Sequence, residues 1–178
     1  GAVPIRQKVR GVPICVRQEL QELLDELLKN DIIEETESSE WVSPIVLTKK
    51  SNGRLRLCLD LGTVNNNIVV DVHPLPKINE LVSMLDGAIV FSTLDLRQAY
   101  HQIVLEEESR HITSFITPMG LFRYKRMSFG LVSASSVFQR AMHHIFKDME
   151  KSVKCFQDDI LVFSKSKREH ANTLKEVC

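Results

Sequence analysis

The chain has 178 residues, of which 43% are hydrophobic and 26% are charged, and its 23 basic and 23 acidic side chains leave a net charge of zero. This composition is typical of one compact globular domain, with two lobes as a variant, and it excludes a chain whose overall charge alone attracts nucleic acid. No uninterrupted apolar run approaches the roughly 20 residues that span a bilayer, so a membrane protein is not expected.

The four cysteines are widely spaced, at positions 15, 58, 155 and 178. They lack the close pairs of a zinc site and the density of a disulfide-rich secreted scaffold. No signal-like apolar block stands near the N-terminus. We therefore expect free thiols and an intracellular protein that is not secreted.

Charges of opposite sign are segregated along the chain. Residues 18–40 contain nine acidic residues against one lysine, whereas residues 49–56 contain four basic residues and no acidic one. A second basic group comprises Arg123, Lys125 and Arg126. Such clusters are usually solvated surfaces, and only a position near a cluster of aspartates would indicate a role in chemistry.

The first predicted elements are a helix and a hairpin. Residues 42–50 and 54–61 predict two strands joined by a turn at Ser51-Asn52-Gly53, because Asn-Gly favours positive backbone angles. In the second strand Arg54 and Arg56 alternate with leucines, so both guanidinium groups are expected on one exposed face, where they suit phosphate binding. The helix ends near Asn30, and its apolar face comprises Leu20, Leu23, Leu24, Leu27 and Leu28.

Later segments predict alternating strands and helices. A loop with His73-Pro74-Leu75-Pro76 precedes a short helix from Lys77 to about Leu85, which stops at Gly87. Residues 88–95 predict a buried strand that ends in Asp95. Residues 112–117 and 121–126 predict a hairpin. A helix is predicted over residues 133–149. On or near one of its faces we expect Val137, Ala141, Ile145 and Phe146.

The run Phe156-Gln157-Asp158-Asp159 lies between two apolar stretches, residues 152–155 and 160–164. Adjacent aspartates between strand-like segments predict a tight hairpin that places carboxylates at a sheet edge, where a divalent metal can bind. A solvated hairpin tip is the alternative, because aspartate favours turns. A charged helix is predicted from Ser166, and the abrupt stop at Cys178 predicts a fragment of a longer chain.

Several motifs follow one another in an order that is typical of a single family. They are residues 42–60 with the preceding acidic segment, residues 73–103, residues 128–146 (SFGLVSASSVFQRAMHHIF) and residues 155–170 (CFQDDILVFSKSKREH). In this order the chain resembles the fingers and palm of a reverse transcriptase, most closely of a gypsy-type LTR retrotransposon or a gene derived from one.

The resemblance implies an α+β fold in which an antiparallel palm sheet is backed by helices and the thumb is absent. Residues 1–87 would form the fingers, with an N-terminal extension and helix. Residues 88–178 would form the palm, with residues 110–127 contributing partly to the fingers. The chain would then be a single compact fragment without thumb, connection or RNase H regions.

The resemblance also implies the catalytic residues. Asp95 matches the aspartate of the first palm motif, and Asp158 and Asp159 match the double-aspartate motif. These three, with Leu96, would be the ligands of two Mg²⁺ or Mn²⁺ ions, which suit hard oxygen ligands and would lie about 3.5 to 4 Å apart. The implied reaction is transfer of a deoxynucleotide to a primer 3′-hydroxyl, with release of pyrophosphate.

Other positions match substrate contacts of the family. Lys50, with Lys49 as the alternative register, and Arg56 would bind the phosphates of the incoming nucleotide. Tyr100 would exclude a ribose 2′-hydroxyl. Further nucleotide-binding positions are Leu96, Phe129 and Gly130, and the primer or template positions are Phe156 and Gln157.

The implied partners are an RNA or DNA template-primer and deoxynucleoside triphosphates, but no membrane. Further polyprotein domains or a second subunit are also expected. The implied location is a cytoplasmic retroelement particle or the nucleus.

Five positions depart from the family pattern. Gly62 stands where the family usually has an arginine of the fingers. Phe156 replaces a tyrosine and Gln157 an apolar residue, while Ser128 and Ser135 stand where prolines are common. Loss of those rigid turns is expected to loosen the loop before the following helix. Two functions therefore remain open: an RNA-directed DNA polymerase core, which retention of all three aspartates favours, and a catalytically silent module that binds nucleic acid or protein.

Overall fold

The computed structural model of the chain describes residues 3–49, 53–70, 73 and 82–178. Lys50, the Ser51-Asn52 part of the first predicted turn, and residues 74–81 of the predicted loop and helix lie outside the described residues. The chain divides into two compact units. The first unit is Gly1–Val70 with Tyr100–Ala134, and the second is Asp71–Ala99 with Ser135–Cys178.

The helices and strands are numbered in chain order. The helices are α1 (Arg17–Lys29), α2 (Gly62–Asn65), α3 (Glu107–Arg110), α4 (Ala134–Phe146) and α5 (Lys167–Val177), and residues 82–84 are also helical. The strands are β1 (Ile33–Glu35), β2 (Ser43–Lys49), β3 (Leu55–Leu59), β4 (Val90–Asp95), β5 (Phe115–Thr117), β6 (Gly120–Tyr124), β7 (Val153–Phe156) and β8 (Asp159–Ser164). Within the ranges described, no helix is long and apolar enough to cross a membrane.

The first unit contains a five-stranded sheet in the order β1-β6-β5-β2-β3. The predicted hairpins are both confirmed: β2 pairs antiparallel with β3, and β5 pairs antiparallel with β6. The strand β5 also pairs with β2 in parallel, and this pairing joins the two hairpins into one sheet.

The core of the first unit forms where helix α1 packs against this sheet. The predicted apolar face of α1 is confirmed, because Leu20, Leu24 and Leu27 are buried. Each leucine removes apolar surface from water, which stabilises the fold by about 1.5–3 kcal/mol per fully buried side chain. These leucines belong to a hydrophobic cluster that also contains residues of the strands and of the segment after β3. Its further members include Ile33, Ile45, Leu57, Leu59, Leu61, Phe115 and Phe122.

The second unit contains a three-stranded antiparallel sheet in the order β4-β8-β7. On one face of this sheet the side chains of Val153, Ile160 and Val162 are buried. Ser92 of β4 pairs with Val162 and therefore lies on the same face. Helix α5 packs on this face, because Nε2 of its buried residue His170 lies 2.8 Å from the Ser92 hydroxyl. Ser166 precedes the helix as its N-cap, and its side chain accepts a hydrogen bond from the Glu169 backbone N–H.

Two expectations about packing in this unit are wrong. The strand β4 ends in Asp95 as predicted, but it is not a buried strand, because its side chains alternate between half-buried and exposed, with Phe91 at 49%. In helix α4 the predicted face does not form the core, since Ile145 is 63% exposed while Ala134, Phe138 and Met142 are buried. The buried stripe is offset by one residue, or about 100° around the helix. A short apolar pattern does not determine which side of an element meets the core.

Candidate active site

The double-aspartate run forms the turn between β7 and β8. Phe156 pairs with Asp159, so the connection consists of the two residues Gln157 and Asp158. Gln157 has a φ of 55°, a positive value at the first loop position, as in the type II′ class of hairpin turns. The predicted tight hairpin is therefore confirmed, with an unfavourable backbone conformation at a residue that is not glycine.

The third predicted carboxylate lies on the neighbouring strand. Asp95 is the last residue of β4 and pairs directly with Asp159 of β8. In an antiparallel pair the Cβ atoms of opposite residues are about 4.5–5.5 Å apart and point to the same face. The backbone N–H of Leu96 donates a hydrogen bond to the Asp158 carbonyl at 3.1 Å, which ties the end of β4 to the turn.

The three aspartate side chains are exposed. Across the part of the chain that the structure describes, no three His, Cys, Asp or Glu side chains are grouped closely enough to hold a metal ion. The backbone thus places three carboxylate-bearing residues side by side, while their side chains do not converge. Like charges directly opposite each other in a sheet are destabilising, so this arrangement favours a cation.

A buried amide from helix α4 contacts the same turn. Gln139 is only 6% exposed, and its Nε2 donates a hydrogen bond to the Cys155 carbonyl at 2.9 Å. Its Oε1 accepts a hydrogen bond from the Gln157 backbone N–H at 3.1 Å. The Cys155 thiol is itself buried, and this burial raises its pKa to about 11.

In the first unit, three of the predicted nucleotide-binding side chains lie together. The Tyr100 and Phe129 ring centroids are 4.9 Å apart, and the Arg56 guanidinium carbon lies 5.8 Å from the Phe129 centroid. Arg56 is exposed, whereas both rings are half-buried. A guanidinium on an aromatic face keeps its hydrogen-bond donors available for an anion such as phosphate.

The loop after Phe129 is held by close backbone contacts. Gly130 has a φ of +99°, and an added Cβ would lie 3.0 Å from the Leu59 carbonyl oxygen. Asn65 Nδ2 donates to the Gly130 carbonyl at 2.8 Å, and the Val132 backbone N–H donates to Asn65 Oδ1 at 2.9 Å. A glycine is therefore required at position 130, and these bonds tie the loop that follows Ser128 to helix α2.

The register of the β2–β3 hairpin bears on the predicted lysine. Arg56 pairs with Thr48, and Lys49 pairs with Leu55. Paired residues share a face of the sheet, and successive residues alternate between faces. Lys49 is therefore on the face opposite to that of Arg56. Lys50 lies outside the described residues.

Two residues of the second basic group, Arg123 and Lys125, pair with acidic side chains of the same unit. Arg123 Nε is 2.6 Å from Glu34 Oε1, and Arg110 Nη1 is 3.6 Å from the same oxygen. Lys125 pairs with Asp31, and its hydrogen bond lowers the pKa of that carboxyl group. Two acidic residues of segment 18–40, Asp31 and Glu34, thus pair with basic residues that are distant in the sequence but lie in the same unit.

Two residues that contact predicted site residues, one in each unit, were not predicted from the sequence. Gln139 and Asn65 act through side-chain amides that bond to backbone atoms distant in the chain. For Gln139 the available signal was its position next to the buried stripe of α4, because a buried side-chain amide requires hydrogen-bond partners. For Asn65 the sequence contains no such signal.

Residues 47–178 match the family model described as reverse transcriptase (RNA-dependent DNA polymerase). Among curated relatives, the Transposon Tf2-3 polyprotein of Schizosaccharomyces pombe is 33% identical over 176 residues, which are 97% of this chain and 13% of that polyprotein. The retrovirus-related Pol polyprotein from transposon 412 of Drosophila melanogaster is 35% identical over 98% of this chain and 15% of its own length. The chain thus spans less than a fifth of these relatives.

Solved structures show the same fold. The prototype foamy virus protease-reverse transcriptase aligns with a TM-score of 0.88 at 22% identity, over 99% of this chain and 24% of that chain. The foamy viral protease-reverse transcriptase in complex with an RNA/DNA hybrid aligns with a TM-score of 0.85 at 20% identity, over 99% of this chain and 24% of that one. The predicted α+β fold is confirmed, and the chain belongs to the reverse transcriptase family.

Proposed function

We propose that this chain is the polymerase segment of a gypsy-type LTR retroelement, or of a gene derived from one, and that it catalyses RNA-directed DNA synthesis. The observation that carries this proposal is the pairing of Asp95 with Asp159, with Asp158 in the adjoining turn. In this proposal residues 1–87 form the fingers, to which residues 110–127 contribute in part, and residues 88–178 form the palm.

The residues of the second unit fit a pair of divalent cations in their chemistry. Carboxylate oxygens are the ligands that Mg²⁺ and Mn²⁺ prefer, and three exposed carboxylates lie at adjacent backbone positions. Asp95, Asp158 and Asp159 would hold the ions, with Leu96 contributing through its backbone. When bound, such ions promote attack by a primer 3′-hydroxyl and stabilise the charge that develops on pyrophosphate.

The residues of the first unit fit a deoxynucleoside triphosphate. Arg56, with Lys50, binds the phosphates, because a guanidinium fork donates two hydrogen bonds to phosphate oxygens at once. Tyr100 and Phe129 form an aromatic contact against which a deoxyribose packs, and Tyr100 excludes a 2′-hydroxyl. Gly130 allows close approach of the backbone.

The nucleic-acid substrate is a template-primer of RNA or DNA. Phe156, which is 37% exposed, and Gln157 border the carboxylates and contact the primer end. The polyprotein relatives support a setting with further domains in the same chain.

The first experiment measures Mn²⁺ binding by electron paramagnetic resonance, with the wild-type chain and three single variants: Asp95→Asn, Asp158→Asn and Asp159→Asn. Each substitution keeps the size of the side chain and removes one charge. Asp148→Asn, at another exposed aspartate of the second unit, is the matched control. We expect Mn²⁺ to bind tenfold or more weakly to Asp95→Asn and Asp158→Asn, and with nearly wild-type affinity to the control. Equal affinities in all variants would contradict the metal site.

The second experiment measures primer extension on an RNA template with Mg²⁺ or Mn²⁺. The chain is assayed alone and joined to the downstream segment of the transposon 412 polyprotein, with Asp158→Asn as the inactive control. Extension that depends on Asp158 supports the polymerase. If the joined protein binds template-primer without extending it, the silent binding module is the better description.

A further inference from the structure

Two hydrogen bonds connect helix α4 to the hairpin that carries the paired aspartates. Gln139 donates to the Cys155 carbonyl at 2.9 Å and accepts from the Gln157 N–H at 3.1 Å. Cys155 belongs to the regular part of β7, whereas Gln157 is the first residue of the turn. The buried amide therefore has one end on the strand and the other on the turn, and both of its polar atoms are satisfied.

The turn needs such support because of its backbone conformation. Gln157 has a φ of 55°, which sterically disfavours a residue that has a Cβ. The N–H that Gln139 accepts belongs to this same residue. Without that bond the backbone at Gln157 can relax toward negative φ, and the next residue, Asp158, would change direction.

We infer that Gln139 is a positioning residue, which holds the strained turn so that Asp158 stays beside the end of β4. The opposite side of the turn is already tied, since the Leu96 N–H donates to the Asp158 carbonyl. The turn is thus held from α4 on one side and from β4 on the other. The consequence for metal binding rests on the proposed function, whereas the consequence for the order of the turn does not.

The test compares Gln139→Leu and Gln139→Asn with the wild-type chain. Leucine removes both hydrogen bonds at similar volume, and asparagine keeps the amide but shortens its reach by one methylene. Thr173→Val is the matched control, because it removes a buried side-chain hydrogen bond within α5 of the same unit. Circular dichroism establishes that each variant folds. If the Gln139→Leu variant does not fold, the comparison is made with Gln139→Asn.

Two measurements are made on each variant. The first is the affinity for Mn²⁺, which we expect to fall by about tenfold or more in the Gln139 variants, as is usual when a residue that orients a metal ligand is lost. The second is hydrogen exchange of the Gln157 amide without metal, which should become at least tenfold faster. Neither quantity should change in Thr173→Val.

A second substitution separates positioning from packing. Glycine adopts positive φ readily, so Gln157→Gly should restore part of the Mn²⁺ affinity that Gln139→Leu loses. A loss of packing around Gln139 would not be recovered in this way. If Gln139→Leu behaves like Thr173→Val in both measurements, or if Gln157→Gly restores nothing, the positioning role is overturned.

Failure of the proposed function has a different signature. If the wild-type chain does not bind Mn²⁺, the metal site is refuted, and hydrogen exchange alone decides the role of Gln139. Faster exchange of the Gln157 amide in the Gln139 variants then supports the restraint on the turn, and unchanged exchange overturns it.

Discussion

Replacing Gly130 by alanine is expected to destabilise the first unit by about 2 kcal/mol. The residue has a φ of +99°, and a Cβ would lie 3.0 Å from the Leu59 carbonyl oxygen. Left-handed backbone costs about 1–2 kcal/mol for a residue with a side chain, and forcing an extra carbon into a filled site costs about 1–3 kcal/mol. Alanine recovers about 0.4–1 kcal/mol by restricting the unfolded chain.

The cost of the backbone strain and the cost of the contact with Leu59 can be separated by substituting other glycines of the first unit. Gly53 has a φ of +80° with nothing within 4 Å of an added Cβ, so Gly53→Ala carries only the backbone strain. Gly11 also has nothing within 4 Å, and its φ is not positive, so Gly11→Ala should be neutral or slightly stabilising.

The assay is thermal unfolding followed by circular dichroism. For a chain of this size, about 1 kcal/mol shifts Tm by about 2–4 °C, so we expect Gly130→Ala to lower Tm by about 4–8 °C and Gly53→Ala by less. A Gly130→Ala protein as stable as Gly53→Ala would refute the close contact with Leu59. One as stable as Gly11→Ala would refute the strained backbone as well.

Two further predictions concern single side chains. Asn65→Ala removes two hydrogen bonds to the loop that contains Gly130, so urea unfolding should show a free energy of unfolding lower by about 1–3 kcal/mol. The control Asn67→Ala removes only a bond to the nearby Thr63 carbonyl, so its free energy of unfolding should fall less. Equal losses in the two variants would contradict the restraint on the loop. Burial raises the pKa of Cys155 from 9.0 to about 11, so the stability from its neutral thiol is complete below about pH 9 and is lost as the pH rises through 11. Urea unfolding at several pH values should therefore show the advantage of the wild-type chain over Cys155→Ala narrowing between pH 9 and 11, and a constant difference would contradict the buried thiol.

The elements that local patterns specify agree well with the structure. The leucine spacing of α1 predicts a helix and its buried face together, because the pattern extends over three turns and the helix has one apolar stripe. The double-aspartate turn was also predicted, because aspartates between two strand-like segments favour a turn. In α4, by contrast, apolar residues surround much of the helix, so the sequence pattern permits two faces and the predicted one is wrong.

The sequence by itself determined the family, the α+β class and the presence of three aspartates in separate motifs. Only the tertiary structure decided that Asp95 pairs with Asp159, because strand register depends on contacts between segments that are more than 60 residues apart. It also decided that the Gln139 amide bonds to the backbone of the turn and the Asn65 amide to the backbone of the glycine loop. Such amide contacts leave no periodic trace in a sequence, since each is made by a single side chain whose partner is a backbone atom brought close by folding.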